Sequence, residues 1–405
     1  MTRCVCSTAY SMIQTDLNFI MHVPTSFLFG AGKLKELHAQ ELPGKKAMLI
    51  ISNGKSVRAN GSLDHTIEEL RKAGADYVLF DRIQANPLKT TVEEGGKLAR
   101  REGCDFLVAL GGGSVIDSAK AIAVMATNDG DLWDYMKGGT GRGLPIANRP
   151  LPIVAITTTA GTGSEADPAG VITDPETHEK QGISHPLLFP VLSIIDPELM
   201  RTVPPLFTAY QGFDALFHST EGYISNRTNL IGDMFEEAAI RNVGAYLVRA
   251  CRDGNDMEAR TRMAFANTMS GFAMVTSGCT AEHSIEHALS AYHEALPHGA
   301  GLIMISLAYY RNIIDKHVCD ERFIQMAKWL GKEDAACPED FLTALSELQQ
   351  ACDVADLKMS DYGITPDEFD AMASNAETVM GKLIAFDHIP LTHQEIIGIL
   401  QQSYR

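Results

Sequence analysis

The chain is poor in positive charge: 34 Lys and Arg stand against 51 Asp and Glu, a formal net charge of −17 over 405 residues. That balance argues against nucleic acid or an anionic membrane as a general partner, while leaving room for a local basic pocket around a phosphate. Eight cysteines occur, at 4, 6, 104, 251, 279, 319, 337 and 352, and no two make a C-x-x-C. Their spacing suggests neither a disulfide framework nor a thiolate metal site, so reduced packing thiols in a cytoplasmic protein are expected. No apolar run approaches the ~20 residues that span a bilayer; the longest lies around Gly299–Tyr310. Met1–Thr15 has one Arg and no apolar core before a small-residue cleavage site, which argues against a secretory signal, and Met12 and Met21 are alternative starts.

What is present is a globular composition. Apolar residues make up 45%, too many for low-complexity disorder, and the 34 glycines follow no G-X-Y period. At roughly 150 residues per domain the length suits two to three domains. The first half alternates short apolar runs with helical patterns. Strands are expected at Lys46–Ser52, Tyr77–Phe80, Phe106–Leu110 and Ile153–Thr157, with helices at Leu63–Ala73, Thr91–Glu102 and from Ser114 to about Ala126. Strand–helix alternation with β-branched runs bounded by Gly is the pattern of a parallel sheet covered on both faces. After about Pro197 helical periodicity takes over, and Thr365–Glu368 and Thr392–Glu395 both fit a capping box. The division expected is an α/β half at 1–196 and an all-helical half at 197–405, with a ligand cleft between them.

Three glycine turns follow strands. Gly111-Gly112-Gly113-Ser114 sits between a strand and a helix, where backbone N–H groups and the helix dipole suit a phosphate, and Ser114 can cap the helix or donate to the ligand. Thr157–Glu165 offers hydroxyls around Gly161 and Gly163, and Phe29–Lys33 is weaker. None is G-x-G-x-x-G or G-x-x-x-x-G-K-[ST], so ordinary turn chemistry stays open beside a diphosphate ligand. After the first strong strand, Asn53-Gly54-Lys55-Ser56-Val57-Arg58 has no carboxylate for a ribose 2′-OH but has groups for a 2′-phosphate. This turn favours NADP(H) over NAD(H), an incidental basic surface turn being the alternative.

In the helical half, Asp214 and His218 lie one turn apart, as do His283 and His287, and His298 follows Pro297. Imidazole and carboxylate ligands suit Fe²⁺ or Zn²⁺, and ligand type does not choose between them. His283-Ser284-Ile285-Glu286-His287 also matches the H-x-x-E-H zinc-peptidase pattern, in which both histidines bind zinc and Glu activates water.

Taken in order, GGGSVID (111–117), TTAGTGSEA (158–166), VITDP (171–175), GFDALFHSTEGY (212–223) and HSIEHALSAYHEALPHG (283–299) resemble the iron-containing (group III) alcohol dehydrogenase family, from about Phe27 onward. The resemblance implies a Rossmann-like N-terminal domain and an all-α C-terminal domain, a fold shared with dehydroquinate synthase. It also implies a NAD(P)(H) cofactor, a divalent metal with Fe²⁺ ahead of Zn²⁺, a small alcohol or aldehyde substrate, and a homodimer or larger assembly. Carried over by motif, Asp214, His218, His283 and His298 are the metal ligands, and His287 is a non-ligand near substrate and nicotinamide that relays a proton or orients a ligand. Gly112, Gly113 and Ser114 meet the cofactor diphosphate, and Asp117, Thr158, Thr159, Thr162 and Lys180 line the rest of its site. Three departures stand out: Asn53-Gly54 where many members carry Asp, Asp167-Pro168-Ala169 facing the substrate, and Phe217, expected to make the wall beside His218 apolar. A lyase of the dehydroquinate synthase kind, using nicotinamide transiently, is the alternative activity; a non-catalytic nucleotide-binding module is a third.

Overall fold

The computed structural model describes residues 16–405; the readings made of Met1–Thr15, Cys4 and Cys6 lie outside them. Eight strands are seen among these residues: β1 (Ser26–Phe29), β2 (Lys46–Ser52), β3 (Asp76–Ile83), β4 (Phe106–Gly111), β5 (Ile153–Thr157), β6 (Ala169–Asp174), β7 (Glu179–Ser184) and β8 (Leu192–Ile195). Helices α1 (Ser56–Ala59), α2 (Ser62–Lys72), α3 (Lys89–Glu102) and α4 (Gly113–Met125) alternate with the early strands. Ten more follow: α5 (Pro205–Ile224), α6 (Leu230–Arg252), α7 (Met257–Thr276), α8 (Ala281–Tyr292), α9 (His298–Ile314), α10 (Asp320–Trp329), α11 (Glu339–Ala351), α12 (Phe369–Val379), α13 (Gly381–Ile384) and α14 (His393–Ser403). Among the described residues no helix is long and apolar enough to cross a membrane.

Six strands form one parallel sheet in the order β1-β8-β5-β4-β2-β3. Both faces are covered: Met48, Ile50, Leu107 and Ala109 pack on one side, and Leu49, Ile51, Phe106 and Val108 on the other. Two-sided burial explains why these strands read as unbroken apolar runs. From β2 the chain adds β3 on one flank, then returns to add β4 and β5 on the other. The adjacent β2 and β4 therefore form a topological switch point, and a crevice opens beyond their carboxyl ends, where the turns after Ser52 and Gly111 lie.

The last strand ends at Ile195 and α5 begins at Pro205, so the change of texture read near 196/197 falls in their connection. Both capping boxes form, at Thr365 and Thr392. The helical half packs around α5, whose Phe213, Leu216 and Phe217 are fully buried. The sequence reading missed β1, β8 and the β6–β7 hairpin. In β7 the polar run Glu179-Lys180-Gln181 is buried, because the hairpin lies between α4 and the helical half and its polar groups find partners there.

Candidate active site

Asp214, His218 and Glu221 fall on one stripe of α5, at i, i+4 and i+7. His283, Glu286 and His287 share a stripe of α8, and His298 is the first residue of α9, started by Pro297. Two glycines bring these helices together. A Cβ on Gly299 would lie 2.3 Å from the Tyr210 carbonyl oxygen of α5, and one on Gly301 would lie 2.8 Å from Glu286 Cγ of α8. His298 thereby docks against both.

The convergence is tight. Asp214 Oδ1 lies 3.5 Å from His218 Nδ1, 3.7 Å from His283 Nε2 and 3.5 Å from His298 Nε2. A tetrahedral ion with bonds of about 2.1 Å has ligand–ligand edges of roughly 3.4 Å, so each of the three distances from Asp214 Oδ1 suits a pair of ligands on one divalent cation. Asp214 Oδ1, His218 Nδ1 and His283 Nε2 are buried without a hydrogen-bond partner. An unmet buried polar atom costs about 1–3 kcal/mol, and three aimed at one point call for a shared ligand. Burial pushes the Asp214 carboxyl up, but the His218 and His298 rings beside it hold it well below its ordinary value. Burial pushes His218 down to about 4, leaving its ring neutral with a lone pair to give.

Behind this cluster stand two carboxylates: Glu221, which the sequence reading did not single out, and Glu286, which it named only as the water-activating Glu of the H-x-x-E-H pattern. Glu221 accepts from His283 Nδ1–H and also from the Thr280 N–H at 3.0 Å and hydroxyl at 2.9 Å. Glu286 accepts a hydrogen bond from His298 Nδ1–H and lies 3.4 Å from Lys180 Nζ. Each fixes the ring so that Nε2 faces Asp214, the arrangement that carboxylates give to metal-bound histidines. Glu286 is thus committed to His298 and Lys180, which removes the water-activating Glu that the H-x-x-E-H pattern requires. His287 is buried with Nδ1 unpartnered, its ring centroid 5.4 Å from that of His298. Burial, reinforced by Lys180, holds His287 well below its usual pKa and therefore neutral.

One cavity of about 220 Å³ joins this cluster to the first glycine turn. Gly113, Ser114, Asp117, Thr162 and Lys180 line it together with Asp214, His218, His283, His287 and His298. Gly112 is the N-cap of α4 and Ser114 lies inside its first turn, so Ser114 is not the cap. Gly112 and Gly113 admit Thr159 and Thr162: a Cβ on either would come within 2.7 Å of the facing threonine hydroxyl. A second cavity of about 180 Å³ lies among Ser56, Val57, Asn60, Thr158, Thr159 and Gln211, beside the switch point. Asn53 is exposed at the end of β2 and lines neither cavity.

Several expectations change in three dimensions. Asp117 accepts from Ser164 Oγ at 2.5 Å and the Val171 N–H at 3.0 Å, so it fastens the second glycine turn and β6 to α4 as well as lining the cleft. Lys120, fully buried, does the same through Ser164, Asp167 and the Ala169 carbonyl. The Phe29–Lys33 turn is filled by Asp196, which accepts from the N–H groups of Gly32 and Leu34. Phe217 packs against Phe213 and Tyr310 in the helical core and does not wall the cleft. Arg58 is paired with Asp81 at 2.6 Å, a neighbour brought by β3 that the local turn does not reveal. Cys279 has its Sγ beside His218 and His283, which spacing among cysteines could not show.

Comparison with known proteins gives a consistent picture. Residues 24–197 match the family model described as iron-containing alcohol dehydrogenase, and residues 208–404 match the C-terminal model of the Fe-containing alcohol dehydrogenase family. The chain is 32% identical to the NAD-dependent methanol dehydrogenase of Bacillus methanolicus, over 87% of this chain and 92% of that one. It is 34% identical to the 1,3-propanediol dehydrogenase of Klebsiella pneumoniae, over 94% and 98%. Among solved structures it is similar to an archaeal halo-thermophilic alcohol dehydrogenase from a Red Sea brine pool, with TM-score 0.90 and 31% identity over 96% of this chain and 100% of that one.

Proposed function

The chain belongs to the iron-containing alcohol dehydrogenase family, and on that premise we propose how its own residues divide the work of moving hydride between a small alcohol or aldehyde and a nicotinamide cofactor. One observation carries the reading: a carboxylate oxygen ringed by three imidazole nitrogens at 3.5–3.7 Å opens into the same cavity as the amino end of α4. Asp214, His218, His283 and His298 hold a divalent ion, with Fe²⁺ ahead of Zn²⁺. When bound, such an ion supplies Lewis acidity to the alcohol or carbonyl oxygen. The nicotinamide supplies hydride chemistry.

The protein supplies position and dryness. Backbone N–H groups at Gly113 and Ser114, in the first turn of α4, receive the diphosphate. Thr158 and Thr159 border the adenosine side, and Thr162 and Lys180 the nicotinamide side. Neutral His287 accepts the alcohol proton and passes it outward. The charged groups of the cleft wall already have partners within the chain: Asp117 with Ser164, Asp167 with Lys120, and Lys180 with Ser290 at 2.8 Å. The apolar part of the lining is Pro87, Ala169, Val171, Met274, Met380 and Leu383. This supports an uncharged alcohol with an apolar chain over one that bears a carboxylate or a quaternary ammonium.

NAD(H) fits the relatives named for it, and Lys55, Ser56 and Arg58 serve NADP(H) only if a 2′-phosphate draws Arg58 away from Asp81. A homodimeric or larger cytoplasmic enzyme completes the proposal. The test is anaerobic: chelated protein is restored with Fe²⁺ or Zn²⁺, and reduced-nicotinamide absorbance is followed with short alcohols and aldehydes and either cofactor. Metal-dependent turnover is expected; none with any combination refutes the proposal.

A further inference from the structure

Cys279 lies beside the histidine cluster and has no part in the reaction proposed above. It is buried just before α8, follows Gly278 at φ +77°, and lines the cleft. Its Sγ, one ring nitrogen of His218 and one of His283 all lie within 4.8 Å of one another. His218 Nδ1 and His283 Nε2 are unpartnered, with 6% and 3% of their residues exposed. Of the six described cysteines only Cys279 has such neighbours. The chain therefore builds two overlapping ligand sets on the same two histidines: nitrogen and oxygen with Asp214 and His298, nitrogen and sulfur with Cys279.

We propose that Cys279, with His218 and His283, forms a second, thiophilic metal site that competes with the site for the working ion. Softness separates the two sets, since thiolate selects soft ions whereas carboxylate and imidazole suit harder divalent ones. On binding, the thiol S–H breaks, a metal–sulfur bond forms, and the proton leaves to solvent with no change of oxidation state. Rotation about the single Cα–Cβ bond of Cys279 swings Sγ toward the roughly 2.3 Å bond that a thiolate makes. An ion so held sits on the cleft side, in the place of the substrate oxygen, so soft ions inhibit where harder ones serve.

This rests on the metal centre proposed above, and its test needs no turnover, so failure of alcohol oxidation leaves it readable. Full-length, chelated protein is titrated anaerobically with Cd²⁺ alone and with Mn²⁺ alone. Cd²⁺ is expected to raise a thiolate-to-metal ultraviolet band that Cys279→Ser abolishes. The variant should bind Cd²⁺ at least tenfold more weakly while its Mn²⁺ affinity and its metal-free melting temperature stay within error of wild type. An unchanged band or unchanged Cd²⁺ affinity in Cys279→Ser overturns the proposal. So does an equal loss of Cd²⁺ and Mn²⁺ affinity, which would make Cys279 a packing residue.

Discussion

Replacing Glu286 by glutamine separates two chemistries that the same five residues could serve. In a zinc peptidase of the H-x-x-E-H kind, the Glu is not a ligand, so the variant keeps its metal and loses hydrolysis. In this fold Glu286 is fully buried between His298 Nδ1 and Lys180 Nζ. Burial raises its proton affinity, but the His298 ring and the Lys180 ammonium more than offset this, so the carboxyl stays below its ordinary pKa and is an anion at neutral pH. Glutamine keeps the shape and removes the charge. His298 then loses the partner that fixes its ring, and Lys180 loses its nearest anion. Loss of such a supporting carboxylate weakens metal binding about 10- to 100-fold, or roughly 1.4–2.8 kcal/mol. Competition of the chelated protein against a fluorescent Zn²⁺ indicator measures this directly, and melting of the metal-free protein reports the separate cost of leaving Lys180 without that anion. Wild-type Zn²⁺ affinity in Glu286→Gln would refute the argument that Glu286 holds His298 for a metal.

His218→Ala should lose bound metal and activity together after dialysis, by elemental analysis; full retention would remove His218 from the ligand set. His287→Ala should keep metal near wild-type content while kcat falls about 100-fold, the ordinary worth of a positioned proton-transfer group; loss of metal would make His287 a ligand. Asp81→Ala frees Arg58 and should raise kcat/KM for NADP(H) relative to NAD(H) several-fold, whereas an unchanged ratio would show that Arg58 does not meet the 2′ position. Glu236, fully buried, is pushed by burial from 4.5 to about 8. The folded chain keeps that proton up to about pH 8 while the unfolded chain releases it near 4.5, so the contribution is complete below 4.5 and fades as pH rises through 8. At about 1.4 kcal/mol per unit the loss approaches roughly 5 kcal/mol. Glu236→Gln should flatten the fall of urea-unfolding free energy between pH 5 and 8; an unaltered slope would show that Glu236 titrates normally.

Much of the architecture was legible because it is local. Strands Lys46–Ser52 and Ile153–Thr157 have the bounds read from their apolar runs, since two-sided burial writes itself into consecutive residues. The β6–β7 hairpin was not legible: its buried Glu179, Lys180 and Gln181 look like a surface turn until α8 and α12 cover them. In the site, helical spacing alone pairs Asp214 with His218 and His283 with His287. The same spacing could not say that His287 stands apart while His298 joins.

By itself, then, the sequence determined the strand–helix alternation from β2 to β5, the glycine turn at the amino end of α4, and the two intrahelical pairs, all governed by interactions within a few residues. Only the tertiary structure decided which atoms meet. Asp214, His283 and His298 are brought together by the close approach of α5, α8 and α9 that Gly299 and Gly301 permit. Glu221 and Glu286 came to hold the His283 and His298 rings, Arg58 acquired Asp81, Phe217 turned into the core, and Cys279 arrived beside two histidines. Each of these depends on partners far apart in the chain or on which face of a helix is buried, and helix packing sets both.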